Sequence, residues 1–398
     1  MPAIILKAGR EKSLLRRHPW IFSGAVHHVD ENIASGETVD VLSFNKQFLA
    51  RAAYSPNSQI RARVWTFEDE PVDKEFFRKR IRSAIISRSI LQASDPSNAS
   101  RLIYAESDHI PGLIVDRYDD VLVLQSLTTG SEFWKETIAD ILVEETGLST
   151  IYERSDADVR ELEGLTPNVG ILRGSILRDP LTITENGLKF NVNFASGHKT
   201  GFYLDQGKNR LRVRELAKDR DVLDCFCYTG GFSVNALAGG AKSVLSVDSS
   251  GDALALCQEN VALNALPAER HTTLEGDVFH LLRKFRDEGR SFDMIVLDPP
   301  KFAPTAAHAD KATRAYKDIN LFAFKLLRPG GILFTFSCSG GVDAALFQKI
   351  VAGAALDAGV DAQIVEYLSQ GPDHPVALNF PEGAYLKGLV CLKRSSGS

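Results

Sequence analysis

No run of eighteen or more apolar residues occurs in this 398-residue chain, so no membrane-spanning helix is expected. Its start, "MPAIILKAGREKSLLRR", lacks the long apolar core and small-residue cleavage site of a secretory leader. Cysteine is scarce. The five residues Cys225, Cys227, Cys257, Cys338 and Cys391 are odd in number and not spaced as a disulfide scaffold. Cys225 and Cys227 find no second pair to complete a zinc site, so no metal is expected. Reduced thiols in a cytoplasmic protein are the simplest reading. An excess of positive charge is missing too. The net charge of −5 excludes a uniformly basic nucleic-acid coat but leaves room for a local basic face. The spaced-glycine fingerprint G-x-G-x-x-G of dinucleotide binding is absent. There are no internal repeats, and low complexity is confined to the "SSGS" tail.

What is present can build full cores. Hydrophobic residues make up 44% of the chain and charged residues 24%, and the length predicts two or three domains. Three blocks are legible. In the first, to about residue 70, "AIILKAG", "ETVDVLSF", "QFLARAAY" and "IRARVWTF" are short strand patterns separated by turn residues, which predicts a small barrel-like β fold. Residues 1–66 hold nine Lys and Arg against five Asp and Glu, and Lys7, Arg10, Lys12, Arg16 and Arg17 cluster just before "HPWIF". The second block opens with a basic amphipathic helix, "FFRKRIRSAIISRSIL". Two strands around a Pro-Gly turn and the helix "EFWKETIADILVEETG" follow, an α+β pattern with no reaction motif of its own. The third block, from about 186, alternates strand and helix, which predicts a mostly parallel sheet with helices on both faces and a ligand beyond the carboxyl ends of its strands.

The unusual residues of the third block fall at those strand ends. "DCFCYTGG" is a strand turning into a helix, with Asp224 before the turn and Gly230 and Gly231 in it. Asp248 ends the next strand, where a carboxylate can accept hydrogen bonds from two ribose hydroxyls. Asp277, after a third strand, is placed to meet an adenine amino group. With no glycine triplet to receive a pyrophosphate, S-adenosylmethionine fits this set better than a dinucleotide. Ordinary helix N-caps are the alternative for each acid taken alone.

In "LDPPKF" two prolines hold the backbone extended and remove two N–H donors, so their carbonyls face the crevice, with Asp298 at the strand end and Pro299 beside it. A similar turn receives an amino group in many methyltransferases, which points to methylation of an exocyclic nitrogen. Cys338, in "TFSCSGG" at the end of the next strand, points to another reaction. Carbon 5 of a pyrimidine attacks a methyl group only after a thiolate has added at carbon 6. Cys338 can be that thiol, Asp298 can hold the base edge and Phe302 can stack on the ring. Lys301 is a cationic neighbour of the kind that favours a thiolate. A small buried packing residue is the alternative for Cys338.

Together "RRHPWIFSGAV", "GHKTGFYLDQGKNR", "CFCYTGGFSV", "DPPKF", "RAYKDINLFAFKLL" and "FSCSG" resemble the bacterial ribosomal RNA large subunit methyltransferase I family over nearly the whole chain. The resemblance implies a PUA-like RNA-binding domain over 1–72, a small central α+β domain over 73–185, and a Rossmann-like S-adenosylmethionine-dependent methyltransferase domain over 186–398. It implies 23S ribosomal RNA or a large-subunit precursor as substrate and 5-methylcytidine as product. The motif cysteine falls on Cys338 and the motif aspartate on Asp298. Phe202, Tyr203, Asp205 and Gln206 of "GFYLDQ" are implied to help enclose the cofactor, as are Tyr228 and Thr229 of the glycine turn. The cluster Lys7, Arg10, Lys12, Arg16 and Arg17 beside Trp20 becomes an expected RNA surface, with phosphates on the cations and bases on the rings. Lys301 and Phe302 are expected to meet RNA at the target base, which must be unstacked to enter. The resemblance allows a homodimer and no membrane partner. Two alternatives stay open: methylation of a base nitrogen without a covalent intermediate, and a non-catalytic RNA-binding factor.

Overall fold

A computed structural model describes residues 1–91, 97–175, 180–195, 197, 199–302 and 309–394. His198 of the "GHKTGFYLDQ" motif and the "SSGS" tail lie outside the described residues. The chain divides into two compact units. The first comprises residues 1–185, 192–204 and 372–383, and the second 186–191, 205–371 and 384–398.

The first unit begins with six strands: β1 (Ala3–Leu6), β2 (Trp20–Phe22), β3 (Val26–Val29), β4 (Thr38–Leu42), β5 (Phe48–Tyr54) and β6 (Ile60–Thr66). They form one sheet in the order β2-β6-β5-β4-β1-β3, antiparallel except for the parallel pair β1 and β4. Two of these strands, β2 and β3, go beyond the four strand patterns of the sequence. Each is only three or four residues long, too short for an alternation to register. Ile4, Leu6, Val39, Val41, Ala50, Ala52 and Val64 form the core, with Leu14 from the short helix α1 (Lys12–Leu15) packed on it.

Next come α2 (Lys74–Leu91), β7 (Ala99–Tyr104), β8 (Leu113–Tyr118), β9 (Val121–Ser126), α3 (Thr129–Thr146), β10 (Thr150–Ser155), α4 (Val159–Leu162), β11 (Asn168–Arg173) and β12 (Leu181–Glu185). The five strands β11-β10-β9-β8-β7 form a second sheet. Here the sequence pattern is corrected: the segment after the Pro-Gly turn, residues 113–126, is two strands, not one, because the chain turns at Asp119 with φ 54°. Helix α3 starts where Thr128 and Ser131 make a reciprocal capping box, and it stops at Gly147 in the left-handed conformation. Helix α2 buries Phe76, Phe77, Ile81 and Ala84 on one face. Its arginines are largely spoken for. Arg78 and Arg82 pair with Glu145 of α3, and buried Arg88 forks onto Asp108. These pairs tie down three cations of the helix read from the sequence as basic and amphipathic, through partners that lie 20 or more residues away in the chain.

The second unit runs α5 (Gly207–Leu216), β14 (Asp221–Cys225), α6 (Gly231–Ala238), β15 (Ser243–Asp248), α7 (Gly251–Leu263), β16 (His271–Glu275), α8 (Val278–Asp287) and β17 (Phe292–Leu297), after β13 (Leu188–Val192). It ends with α9 (Ala309–Leu326), β18 (Leu327–Ser337), α10 (Ala344–Asp357), β19 (Ala362–Leu368) and β20 (Lys387–Lys393). The sheet order is β16-β15-β14-β17-β18-β20-β19. The first five strands are parallel, and β20 is antiparallel to both its neighbours. Met294, Ile295, Val296 and Leu297 are all fully buried, as a parallel strand covered on both faces requires. Phe334 and Phe336 of β18 are fully buried as well, and each such side chain contributes about 1.5–3 kcal/mol of burial. Strand succession reverses between β14 and β17, so a crevice opens beyond their carboxyl ends. The loops bearing Asp298 and Cys338 follow neighbouring strands, as the sequence suggests. They leave the middle of the sheet rather than its edge, because β20 and β19 extend it beyond β18.

Candidate active site

Asp224 is the buried acid at the end of β14. One carboxylate oxygen accepts from Ser233 Oγ at 2.6 Å, and Oδ1 has no hydrogen-bond partner among the described residues. Burial pushes its carboxyl well above the usual carboxylate range, against the pull of the Ser233 hydroxyl. The turn after β14 winds through two non-glycine residues at positive φ, Phe226 and Tyr228, and then Gly230 at φ 81°. The left-handed geometry and the neighbouring Cys257 both demand glycine at 230, since a Cβ there would overlap Cys257 Sγ. This gives the residue a packing reason in addition to the ligand approach expected from the sequence. At Gly231 an added Cβ would come within 2.9 Å of the Arg210 side chain. Thr229 is buried, and its carbonyl accepts from Asn260 Nδ2 at 3.0 Å. Cys225, Cys227 and Cys257 are all buried, and a hydrogen bond between Cys227 and Cys257 holds the Cys257 thiol down and pushes that of Cys227 up.

Asp248 fastens this turn to the next strand. Its Oδ2 accepts from the Tyr228 N–H at 2.9 Å and its Oδ1 from the Ser250 N–H at 3.0 Å. A carboxylate oxygen takes more than one donor, so neither bond excludes a ribose hydroxyl. Asp277 is the N-cap of α8, accepting from the His280 N–H at 2.8 Å, so the helix-cap role accounts for one of its oxygens.

Asp298, directly after β17, accepts from Gln206 Nε2 at 3.0 Å. Pro299 beside it is buried. Gln206 is itself held, since its Oε1 accepts from Asn209 Nδ2 at 2.6 Å and Asn209 also donates to the Ser369 carbonyl at 3.1 Å. Asp205 is buried and accepts from the Tyr385 hydroxyl. Asn209 and Tyr385 were invisible as site residues in the sequence, Tyr385 because it lies 180 positions from its partner. Phe202 and Tyr203 belong to the first unit. There the Phe202 N–H donates to the Tyr118 hydroxyl at 3.2 Å, and the Lys199 ammonium lies 4.3 Å from the Tyr203 ring centre.

Cys338 is the one cysteine of the five that is not buried. Its serine neighbours explain the position. Ser337 and Ser339 are fully buried, the Ser339 N–H donates to Ser337 Oγ at 3.3 Å, and Ser339 Oγ shares a hydrogen bond of 2.9 Å with the Tyr316 hydroxyl. The serines therefore anchor the turn while the thiol between them stays accessible. Leu297 pairs with Thr335, so Asp298 and Cys338 emerge one and three residues past paired positions on adjacent strands. Phe302 is half-buried against Tyr316 and Phe279, with ring centres 4.9 and 5.8 Å away, and Lys301 is exposed. The sequence reading missed Lys387. Its Nζ donates to the Ser339 carbonyl at 2.8 Å, and burial holds its pKa below the usual lysine range.

In the first unit Lys7, Arg10, Lys12, Arg16 and Arg17 are all exposed. Arg17 pairs with Glu68 at 3.0 Å and lies over the Phe67 ring. Trp20 is engaged in packing: its indole donates to Glu106 at 2.8 Å and its ring meets Phe380 at 4.9 Å. Phe22 is the exposed ring of that segment.

Comparison with known proteins agrees with the fold. The family of S-adenosylmethionine-dependent methyltransferases matches residues 169–390, and a PUA-like domain matches residues 4–67. The ribosomal RNA large subunit methyltransferase I of Shewanella amazonensis is 52% identical over 388 residues, 97% of this chain and 98% of that protein. That of Vibrio cholerae is 50% identical over 392 residues, 98% of this chain and 99% of that protein. The chain belongs to the ribosomal RNA large subunit methyltransferase I family. Its fold is that of a Streptococcus mutans structure named for S-adenosylmethionine-dependent methyl transfer (TM-score 0.84, 21% identity, 98% of this chain and 100% of that one). A second solved methyltransferase, complexed with S-adenosylhomocysteine, superposes with a TM-score of 0.86 at 22% identity, over the same shares of both chains.

The cofactor of this family member is therefore S-adenosylmethionine. The residues present fit it: a buried carboxyl with a bare oxygen at Asp224, and at Asp248 a carboxylate bonded to protein by one N–H on each oxygen. Among the described residues no helix is long and apolar enough to cross a membrane.

Proposed function

We propose that the chain methylates carbon 5 of a cytosine in large-subunit ribosomal RNA through a covalent adduct between Cys338 and carbon 6. The substrate class follows its relatives' names, and 23S RNA or a large-subunit precursor in the cytoplasm is the partner. The observation that carries the reaction type is the partly exposed Cys338 beside Asp298 on adjacent strand ends, while the other four cysteines are buried.

S-adenosylmethionine supplies an electrophilic methyl group. The chain's own residues do the rest. The Cys338 thiolate adds its Sγ to carbon 6, and the electron pair of the 5,6 double bond moves so that carbon 5 becomes nucleophilic. Asp298, oriented by Gln206, holds the polar edge of the base. Once carbon 5 carries the methyl group, its proton leaves to Asp298 or a water, the carbon–sulfur bond breaks and the thiolate is restored. Asp224, Asp248, Asp277 and the turn 228–231 hold the cofactor in this reading. The exposed cations Lys7, Arg10, Lys12, Arg16 and Arg17, with Phe22 as the ring left exposed, meet the RNA. The domain limits near 72 and 185 and a homodimer belong to the same proposal, and sedimentation reads the latter.

The test is a trap. The protein is incubated with S-adenosylmethionine and RNA carrying 5-fluorocytidine, then run on a denaturing gel. Fluorine cannot leave as a cation, so an adduct persists. A band shift that requires Cys338 supports the reading. Methyl transfer to ordinary RNA with no shift replaces it with methylation of a base nitrogen.

A further inference from the structure

We infer that Lys387 is a positioning residue for Cys338: it pins the turn that carries the thiol and supplies the positive charge that favours its thiolate form. This rests on the reading of Cys338 as nucleophile given above. Strand β20 is antiparallel to β18 with Lys387 opposite Ser337, which brings the lysine to the strand end that carries Cys338. Its ammonium then reaches past the strand end to the Ser339 carbonyl at 2.8 Å.

The surroundings of this ammonium separate a charge role from a purely structural one. Lys387 is partly buried, yet among the described residues no carboxylate lies within ion-pair distance of it. A buried ammonium without a carboxylate is costly, and tying down one carbonyl needs only a neutral donor. The charge earns a return when an anion forms beside it. Four groups face this point. Cys338 lies on the turn itself, Lys301 on the loop after β17, Asp343 before α10 and Tyr316 on α9. Asp343 caps α10, accepting from the Leu346 N–H at 2.7 Å, and keeps its charge, but it lies beyond ion-pair distance of the ammonium and was an anion before any thiolate forms. Burial raises the pKa of the Tyr316 phenol, which therefore stays neutral. Lys301 is exposed and screened by solvent, so its field at the thiol is weak. The thiol of Cys338 is the remaining anion-forming partner, and cationic neighbours lower thiol pKa values. The proton leaves to solvent.

The test needs no RNA. The full chain is alkylated with iodoacetamide across pH 6 to 10, and modification of the Cys338 peptide is followed by mass spectrometry. Lys387→Gln keeps a donor for the Ser339 carbonyl and removes the charge. It is expected to raise the midpoint of the profile by about one pH unit and to slow alkylation at pH 7 by roughly 10-fold. Lys387→Arg keeps the charge and is expected to stay within about twofold of the unsubstituted chain. Superimposable profiles for the unsubstituted chain and Lys387→Gln overturn the inference. If Lys387→Gln does not fold, the reciprocal measurement decides. In Cys338→Ser, acetylation of Lys387 by acetic anhydride at pH 9 is expected to be at least about twofold faster, because the lysine has lost an anionic neighbour. An unchanged rate overturns the inference. The two readings fail separately: a negative 5-fluorocytidine trap with a shifted alkylation profile removes the cytosine reaction and keeps the Lys387 effect, and a positive trap with an unshifted profile does the reverse.

Discussion

The side-chain amide of Gln206 donates to the carboxylate of Asp298 at 3.0 Å, joining the segment before α5 to the turn after β17. A hydrogen bond to a charged group is worth about 1.5–3 kcal/mol. Gln206→Glu replaces that donor with a like charge. It is expected to lower single-turnover methyl transfer by roughly 10- to 100-fold. Cofactor affinity, measured by calorimetry, should change less. An unaffected rate removes Asp298 from the chemistry or Gln206 from its support.

Cys338→Ala should abolish turnover and leave S-adenosylmethionine affinity within about twofold, because the serine pair and Tyr316 hold the turn without the thiol. Retained methylation in this variant sinks the covalent mechanism.

Asp248→Ala should weaken S-adenosylmethionine binding by about 10- to 100-fold, through loss of the acceptor and loosening of the Tyr228 N–H that it holds. Calorimetry checks this. Unchanged affinity contradicts the ribose role.

Gly230→Ala puts a Cβ at φ 81° against Cys257 Sγ. The left-handed conformation costs about 1–2 kcal/mol and the overlap about 1–3 kcal/mol. A fall of several degrees in thermal midpoint is expected. Adding Cys257→Ala should recover the overlap part and leave the backbone part. Gly231→Ala should be milder, since its obstacle is the movable Arg210 side chain.

Asp224 makes stability depend on pH in a definite sense. Its carboxyl is raised in the folded chain, so the native state keeps a proton that the unfolded chain releases near pH 4. The unfolded state therefore binds fewer protons, and stability falls as pH rises from there toward the folded midpoint. Asp224→Asn is neutral throughout. Its stability relative to the unsubstituted chain should grow between pH 5 and pH 8, by up to about 1.4 kcal/mol for each pH unit between the two midpoints. Paired urea titrations check it, and a constant difference contradicts a raised carboxyl.

The parts of the site that sequence makes legible are those fixed by strand periodicity. Asp224, Asp248, Asp298 and Cys338 each lie at or just past the end of a parallel strand, so recognising the strand locates the residue. What stays hidden depends on pairings far apart in the chain. Tyr385 meets Asp205 and Lys387 meets Ser339 because β20 folds back beside β18. No local pattern encodes that return. The same holds for the arginines of α2, which read as a basic amphipathic helix while the glutamates that pair with them come from α3. Trp20 looks like a stacking ring beside a basic run, yet Glu106 and Phe380 claim it. Asp277 satisfies both a local rule and a ligand hypothesis, and its role as a cap accounts for one of its two oxygens.

The return of β20 also sets the order in which the second unit is completed during synthesis. Strand β20 lies between β18 and β19, and among the described residues β19 has no other neighbour in the sheet. Until residues 387–393 emerge from the ribosome, β18 is a sheet edge with its hydrogen-bonding groups open to other chains, and β19 has nothing to join. A nascent chain arrested before that point carries every motif from Asp224 to Cys338, yet it is a strand-pairing hazard awaiting β20.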